Sequence, residues 1–174
     1  MLELSRSDVR RILDRRDELV AVWPDVEGPR LDEIVPRHMD RDGFRFVAEE
    51  DDDGRLAGLA YGYLGGPSQW WHDLVAAAMT PEQRERWLAP GHFEFVELAV
   101  RPDLRRRGIG ARLHDALLDS LSSSTAVLST EVDNEPALAL YGRRGWQVVV
   151  PEIDFGTGRV FCVLGLELPV SPAS

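Results

Sequence analysis

The chemistry of this chain concentrates in Arg105-Arg106-Arg107-Gly108-Ile109-Gly110 and in what flanks that stretch. Upstream, Phe93 to Val100 is a strand-like run closed by Arg101-Pro102-Asp103-Leu104. Downstream, Ile109, Leu113, Ala116, Leu117 and Leu121 recur at helical spacing. A strand, a short glycine-containing loop and a helix start make a ready anion site. The first backbone N–H groups of a helix have no internal partner, and the macrodipole adds partial positive charge there. Gly108 and Gly110 carry no side chain, so a bulky phosphate can approach the backbone closely. From Arg101 to Arg112 there are five arginines and one aspartate, inside a chain of net charge −10. That local inversion of sign calls for a polyanionic ligand.

A second block follows the first. Asn134, Ala137, Tyr141 and Gly145-Trp146 spell N-x-x-A-x-x-x-Y-x-x-x-G-aromatic, and Val100, Pro102, Arg105, Gly108 and Gly110 spell V-x-P-x-x-R-x-x-G-x-G. A lone G-x-G is weak evidence. The two blocks in this order, with a strand between them, resemble the GNAT N-acetyltransferase superfamily from about Phe93 to Trp146. The first block is similar to that family's acetyl-CoA pyrophosphate loop. The resemblance implies an α/β (mixed α+β) fold: a central mixed, mostly antiparallel sheet with splayed middle strands and helices on both faces. It implies acetyl-CoA as cosubstrate, held by Arg105, Arg106, Arg107, Gly108, Ile109, Gly110 and Ala111. The pantetheine arm would pair with the backbone of Leu98, Ala99 and Val100, with Asn134, Ala137 and Tyr141 beside it. A backbone N–H near Val100 would polarise the thioester carbonyl.

The resemblance also assigns catalysis. Tyr141 matches the tyrosine that protonates the departing CoA thiolate. A thiol of pKa about 8.5 and a phenol near 10 suit that transfer. A buried tyrosine with a satisfied hydroxyl is the structural alternative. The attacking amine must shed a proton, which costs roughly 4–5 kcal/mol for a lysine-like pKa of about 10.4 at pH 7. Glu94 stands where histone-acetylating members carry a catalytic glutamate, and Glu97 is the second candidate. Strand alternation puts the two on opposite faces unless a bulge intervenes. Carboxylates in so apolar a run are costly to bury without a partner. Trp70, Trp71 and His72 fall where family members place acceptor loops, and the tryptophans could face a cation. Core packing or a subunit contact is their bland reading.

The reaction expected is acetyl transfer to a primary amine, of a small molecule first, by direct attack in a ternary complex. A protein N-acetyltransferase and a non-catalytic acyl-CoA-binding or sensory module are the rivals. His38, His92 and His114 have no partner at metal-ligand spacing, so no metal site is expected, and His114 should be at the surface. Cys162 lies in an apolar run and reads as a buried strand residue. No Ser/His/Asp arrangement and no Walker-type loop is present.

At 174 residues the chain suits one domain, 1–174, with residues 169–174 a loose tail. The acidic balance argues against nucleic-acid binding. With no apolar run near 18 residues and no leader pattern, no membrane association and a cytoplasmic location are expected. A homodimer remains open. The positioning elements read as a helix from Ser5 to about Trp23, a break at Pro24–Pro29 and a helix over Leu31–Met39. Strands follow at Phe44–Ala48 and Leu56–Leu64 around an acidic turn ending in Asp53-Gly54, and Leu2–Leu4 is a conceivable first strand. Gly65–Gly91 is an excursion with a capped helix start at Thr80-Pro81-Glu82-Gln83. Beyond the cofactor helix, the loop Ser122–Thr125 leads to a strand at Ala126–Val132. Asn134 caps a helix that Gly145 ends as its C′ residue. Strands over Gln147–Ile153 and Arg159–Leu168 close the chain.

Overall fold

The computed structural model describes residues 3–24 and 30–169. Leu2 of the conceivable first strand, residues 25–29 of the expected break and 170–174 of the expected tail lie outside them. The chain forms two compact units: the segment up to Tyr63 with Val96–Asp119, and Leu64–Phe95 with everything from Ser120 onward. Six strands are hydrogen-bonded in the order β1-β2-β3-β4-β6-β5, namely β1 Arg45–Glu50, β2 Leu56–Leu64, β3 Phe93–Val100, β4 Thr125–Glu131, β5 Gln147–Asp154 and β6 Val160–Glu167. The β1–β2, β4–β6 and β5–β6 pairs are antiparallel and β3–β4 is parallel, so the sheet is mixed and mostly antiparallel, as expected. The β3–β4 register spans only Phe93↔Ala126 and Glu94↔Val127.

In the first unit, α1 Arg6–Leu13, α2 Arg16–Val22 and α3 Leu31–His38 pack on the strands. Val9, Ile12, Leu19, Val22, Leu31 and Val35 meet Phe46, Leu56, Leu59 and Tyr61 in one buried cluster. The single helix expected over Ser5–Trp23 is in fact two. Residues 14–18 are all charged, so no apolar side chain at i+3 or i+4 after Leu13 holds that turn on the core. Arg15 leaves the helical region, at φ −85° and ψ 57°, and its guanidinium binds Glu18, Glu50 and the Gly54 carbonyl. Glu3 and Leu4 are not assigned to a strand, although the Leu4 N–H donates to the Phe46 carbonyl at 3.0 Å. β1 runs two residues further than expected, with a register shift between Glu49 and Glu50. The acidic run then turns at Asp51, whose carboxylate accepts the Asp53 and Arg55 N–H groups at 3.0 Å each.

The second unit is built on β4, β6 and β5. The excursion holds two helices, α4 Trp70–Ala78 and α5 Pro81–Trp87, where only the second was expected. The α5 start carries the anticipated capping box, Thr80 with Gln83. The α4 start has no side-chain cap, which is why its sequence gave no boundary. Val75, Met79 and Trp87 from these helices close over Val127, Val149, Val150 and Val163. Asn134 caps α7 Glu135–Gly142 by accepting the Ala137 N–H at 3.2 Å. That helix ends at Gly142, so Gly145, at φ +83°, sits one position later than the C′ site expected of it. Cys162 is buried on β6 with its Sγ 3.6 Å from the Thr130 carbonyl oxygen, and burial pushes its thiol up. No helix among the described residues is long and apolar enough to cross a membrane.

Gly165 of β6 exists for Trp87. A Cβ there would lie 2.5–2.8 Å from three atoms of the indole, inside any tolerable contact. Gly165→Ala is therefore expected to destabilise by about 1–3 kcal/mol through overpacking. Gly66→Ala, where an added Cβ meets nothing within 4 Å, should stay near wild type. Urea midpoints of the two variants check this, and equal midpoints would refute the Trp87 packing.

Candidate functional site

The arginine-rich loop keeps the expected form. β3 ends at Val100, a single 3-10 turn covers Pro102–Leu104, and α6 Ile109–Leu118 begins after Gly108. Gly108 is at φ +78° and supplies no cap, so the first N–H groups of α6, at Ile109, Gly110 and Ala111, have no side-chain acceptor among the described residues. Arg106 also has a positive φ, 65°, which turns the backbone at the loop centre. The five arginines are not equivalent. Arg101 is held by Asp51 and Asp103, each at 2.8 Å, and Arg112 by Glu49. The Arg105 side chain donates to the Val100 carbonyl at 3.2 Å. Arg106 and Arg107 are exposed and make no ion pair among the described residues. The positive field thus narrows from the whole Arg101–Arg112 stretch to Arg105–Arg107 and the bare helix start. Such a cradle fits a pyrophosphate. His114, expected at the surface, is buried: it sits on the inner side of α6, with Nδ1 2.8 Å from Asp115 Oδ1.

The two glutamates of β3 sit in different surroundings. Glu97, Leu98 and Val100 are half-buried and Ala99 is buried. Glu97 has its Oε1 3.0 Å from the Leu98 N–H, and burial pushes its carboxyl up to about 7 against that hydrogen bond. Burial and then the Glu97 charge push the Tyr61 phenol up as well. The Tyr61 hydroxyl lies 3.2 Å from His38 Nδ1, and burial, followed by Arg41 and Arg37, lowers His38 to about 4. Tyr61 and His38 thus join Glu97, a grouping no sequence motif announces because they come from α3 and β2.

Glu94 faces the interior of the second unit at 3% exposure. Its Oε1 is 3.8 Å from His92 Nε2, and the His72 ring stacks on His92 with centroids 5.2 Å apart. His72, His92 and Glu94 bring one potential ligand atom each within 4.8 Å of one another. The sequence has no histidine partner at ligand spacing, and it is the fold that brings His72 and His92 together with Glu94. Burial, then the His92 ring, lowers the pKa of His72.

Trp70, Trp71 and His72 point three ways. Trp70 is 63% exposed beside Phe155, and Trp71 donates its N–H to Ser129 Oγ at 3.0 Å and packs on the Val75–Trp87 core. Tyr141 is buried on α7, edge-on to Phe95 and Trp146.

With this geometry in place, comparison with known proteins is direct. Residues 8–146 match the Acetyltransferase (GNAT) family. The chain belongs to the GNAT acetyltransferase family. A GCN5-like protein acetyltransferase of Mycobacterium tuberculosis is 33% identical over 131 residues, covering 71% of this GNAT chain and 64% of that protein. The chain thus spans less than two thirds of that relative's length. Among solved structures, aminoglycoside 6′-acetyltransferase type Ii aligns with TM-score 0.66 at 18% identity, over 99% of this chain and 97% of the other. The ribosomal-protein-S18-alanine N-acetyltransferase from Escherichia coli aligns with TM-score 0.61 at 17% identity, over 99% and 94%. These two show the shared GNAT fold.

The raised Glu97 carboxyl has a consequence for stability. Between the ordinary value of 4.5 and about 7, the folded protein keeps a proton that the unfolded chain has released. Stability therefore falls as pH rises through that window. Glu97→Gln should flatten this fall, and melting temperatures measured from pH 4.5 to 7.5 test it. An unchanged slope would mean that Glu97 titrates as in solvent.

Proposed function

We propose that this chain is an acetyl-CoA-dependent N-acetyltransferase that acts as a single domain over residues 1–174 and transfers acetyl to a primary amine in a ternary complex. The observation that carries this reading is the uncapped start of α6 behind Gly108, with Arg105, Arg106 and Arg107 beside it. Arg105–Arg107 would neutralise the diphosphate, and the N–H groups of Ile109, Gly110 and Ala111 would donate to its oxygens. The backbone of Leu98 to Val100 would pair with the pantetheine arm as an added strand. Asn134 and Ala137 start the helix that carries Tyr141. Tyr141 would give its proton to the CoA sulfur.

For the base, the environment of Glu97 is the better match. A carboxyl at about 7 is poised for proton transfer at neutral pH. Glu97 would take the ammonium proton, directly or through water, as the amine attacks. Electron flow then closes simply: the amine nitrogen bonds to the acetyl carbon, the carbon–sulfur bond breaks, and Tyr141 protonates the sulfur.

The acceptor we favour is an amine carried by a protein, because the relative at 33% identity is a protein acetyltransferase. The aromatic excursion that favours a small molecule is largely consumed by packing: Trp71 and His72 turn inward. Trp70, exposed beside Phe155, supports a small cationic acceptor as the second reading. A location in the cytoplasm and a homodimeric state remain part of the proposal without a supporting contact.

Three outcomes are expected. Calorimetry should show CoA binding that weakens with salt, and no binding at millimolar CoA would also remove the acyl-CoA-sensor alternative. Tyr141→Phe should lower kcat on the order of 10²-fold with acetyl-CoA affinity kept. Glu97→Gln should abolish the rise in kcat/KM centred near pH 7, and if Glu94→Gln alone does so, the base is Glu94.

A further inference from the structure

We propose that His72, His92 and Glu94 form a binding site for one divalent transition-metal ion, Zn²⁺ first among them, which ties α4 to the start of β3. The three side chains are buried, with exposures of 7%, 1% and 3%. His72 Nδ1, His92 Nε2 and Glu94 Oε1 are buried atoms with no hydrogen-bond partner among the described residues. Their ligand atoms lie within 4.8 Å of one another.

The protonation pattern decides what can join them. His92 Nδ1 is 3.0 Å from the Ala89 carbonyl oxygen, which can only accept, so Nδ1 carries the hydrogen. In the neutral ring Nε2 is then a bare lone pair. It faces Glu94 Oε1, also an acceptor, across 3.8 Å, too far for a direct hydrogen bond. The His72 ring stacks on His92, and its unpartnered Nδ1 adds a third possible ligand atom. One metal ion can take a lone pair from each of the three residues at once.

Two imidazole nitrogens and one carboxylate oxygen are a donor set that suits Zn²⁺, with a fourth position left for water. Tetrahedral Zn²⁺ bonds of about 2.0–2.2 Å require ligand atoms as far apart as 4.8 Å to draw together by up to about 1.5 Å, through side-chain rotation. The Nδ1–H to Ala89 carbonyl bond is the outer-sphere contact that fixes a metal-bound histidine in the right tautomer. Gly65 completes the enclosure. Its N–H donates to the His92 carbonyl at 3.0 Å, and a Cβ on it would fall 2.2 Å from His92 Nε2 and 2.5 Å from Glu94 Oε1. The chain can pass this close to both ligands only as glycine.

The site belongs wholly to the second unit and does not depend on acetyl transfer. If Glu94 is a ligand, its carboxylate is committed to the ion.

The test uses chelator-treated full-length protein titrated with Zn²⁺ by calorimetry and with Co²⁺ by visible absorption. One equivalent should bind at micromolar concentration or tighter, with Co²⁺ giving the intense d–d bands of a four-coordinate centre. His72→Gln, His92→Gln and Glu94→Gln should each weaken binding by more than the roughly 10–100-fold that loss of an outer-sphere partner costs. Gly65→Ala should act in the same direction. CoA affinity, which reports the separate Arg105–Gly110 loop, should be kept in every folded variant. Wild type taking up no ion at ten micromolar Zn²⁺ would overturn the proposal, whatever the variants do. So would equal uptake by wild type and the His72→Gln/His92→Gln double variant, which would place the ion elsewhere.

Discussion

The brevity of the parallel pairing between β3 and β4 is the constraint on which the rest of this structure depends. Two residue pairs, at Phe93 and Glu94, hold the strands in register within the second unit, and from Val96 β3 belongs to the first. A strand that stays paired on both edges has no N–H or C=O to offer a ligand. The pantetheine pairing proposed for Leu98 to Val100 would need such groups at the loop end of β3. The same change shows in burial: Phe93 to Phe95 are enclosed, whereas Val96 to Leu98 are only partly covered. One strand thus has a buried start in the second unit and a partly covered end in the first, and the arginine-rich loop follows that end.

The two glutamates read differently in this light. Glu94 is the last residue of the paired half and is walled in by His92, His72 and Gly65. Glu97 is three residues further on and only partly covered, near enough to the surface to exchange protons yet desolvated enough to hold one near neutrality. Three positions along a strand turn the side chain to the other face, so one short sequence places two carboxyls in unrelated environments.

How much of this was legible in the sequence depends on whether the signal was local. The anion loop was, because Gly108 and Gly110 and the helix that follows are neighbours in the chain. So was Asn134, whose cap reaches only three residues. The break at Arg15 was visible in principle as five consecutive charged residues, but the partners that stabilise it, Glu50 and Gly54, lie more than thirty positions away. The buried His114 and the His72–His92–Glu94 grouping were out of reach for the same reason. Histidine carries no preference for surface or core, and only the return of the chain from α4 to β3 brings the two rings together. Neutralisation of Arg101 and Arg112 by Asp51 and Glu49 likewise depends on the β1–β2 turn folding beside the loop.

The lone thiol of the chain has a practical corollary. Acetyl transfer would release free CoA, a reactive thiol, at every turnover. Cys162 is enclosed on β6 under the Thr130 carbonyl, and the same burial that raises its pKa leaves little thiolate to attack a disulfide. Mixed-disulfide formation between protein and cofactor is therefore suppressed by packing alone. A colorimetric thiol reagent added to the native protein should consequently count liberated CoA against an almost silent background.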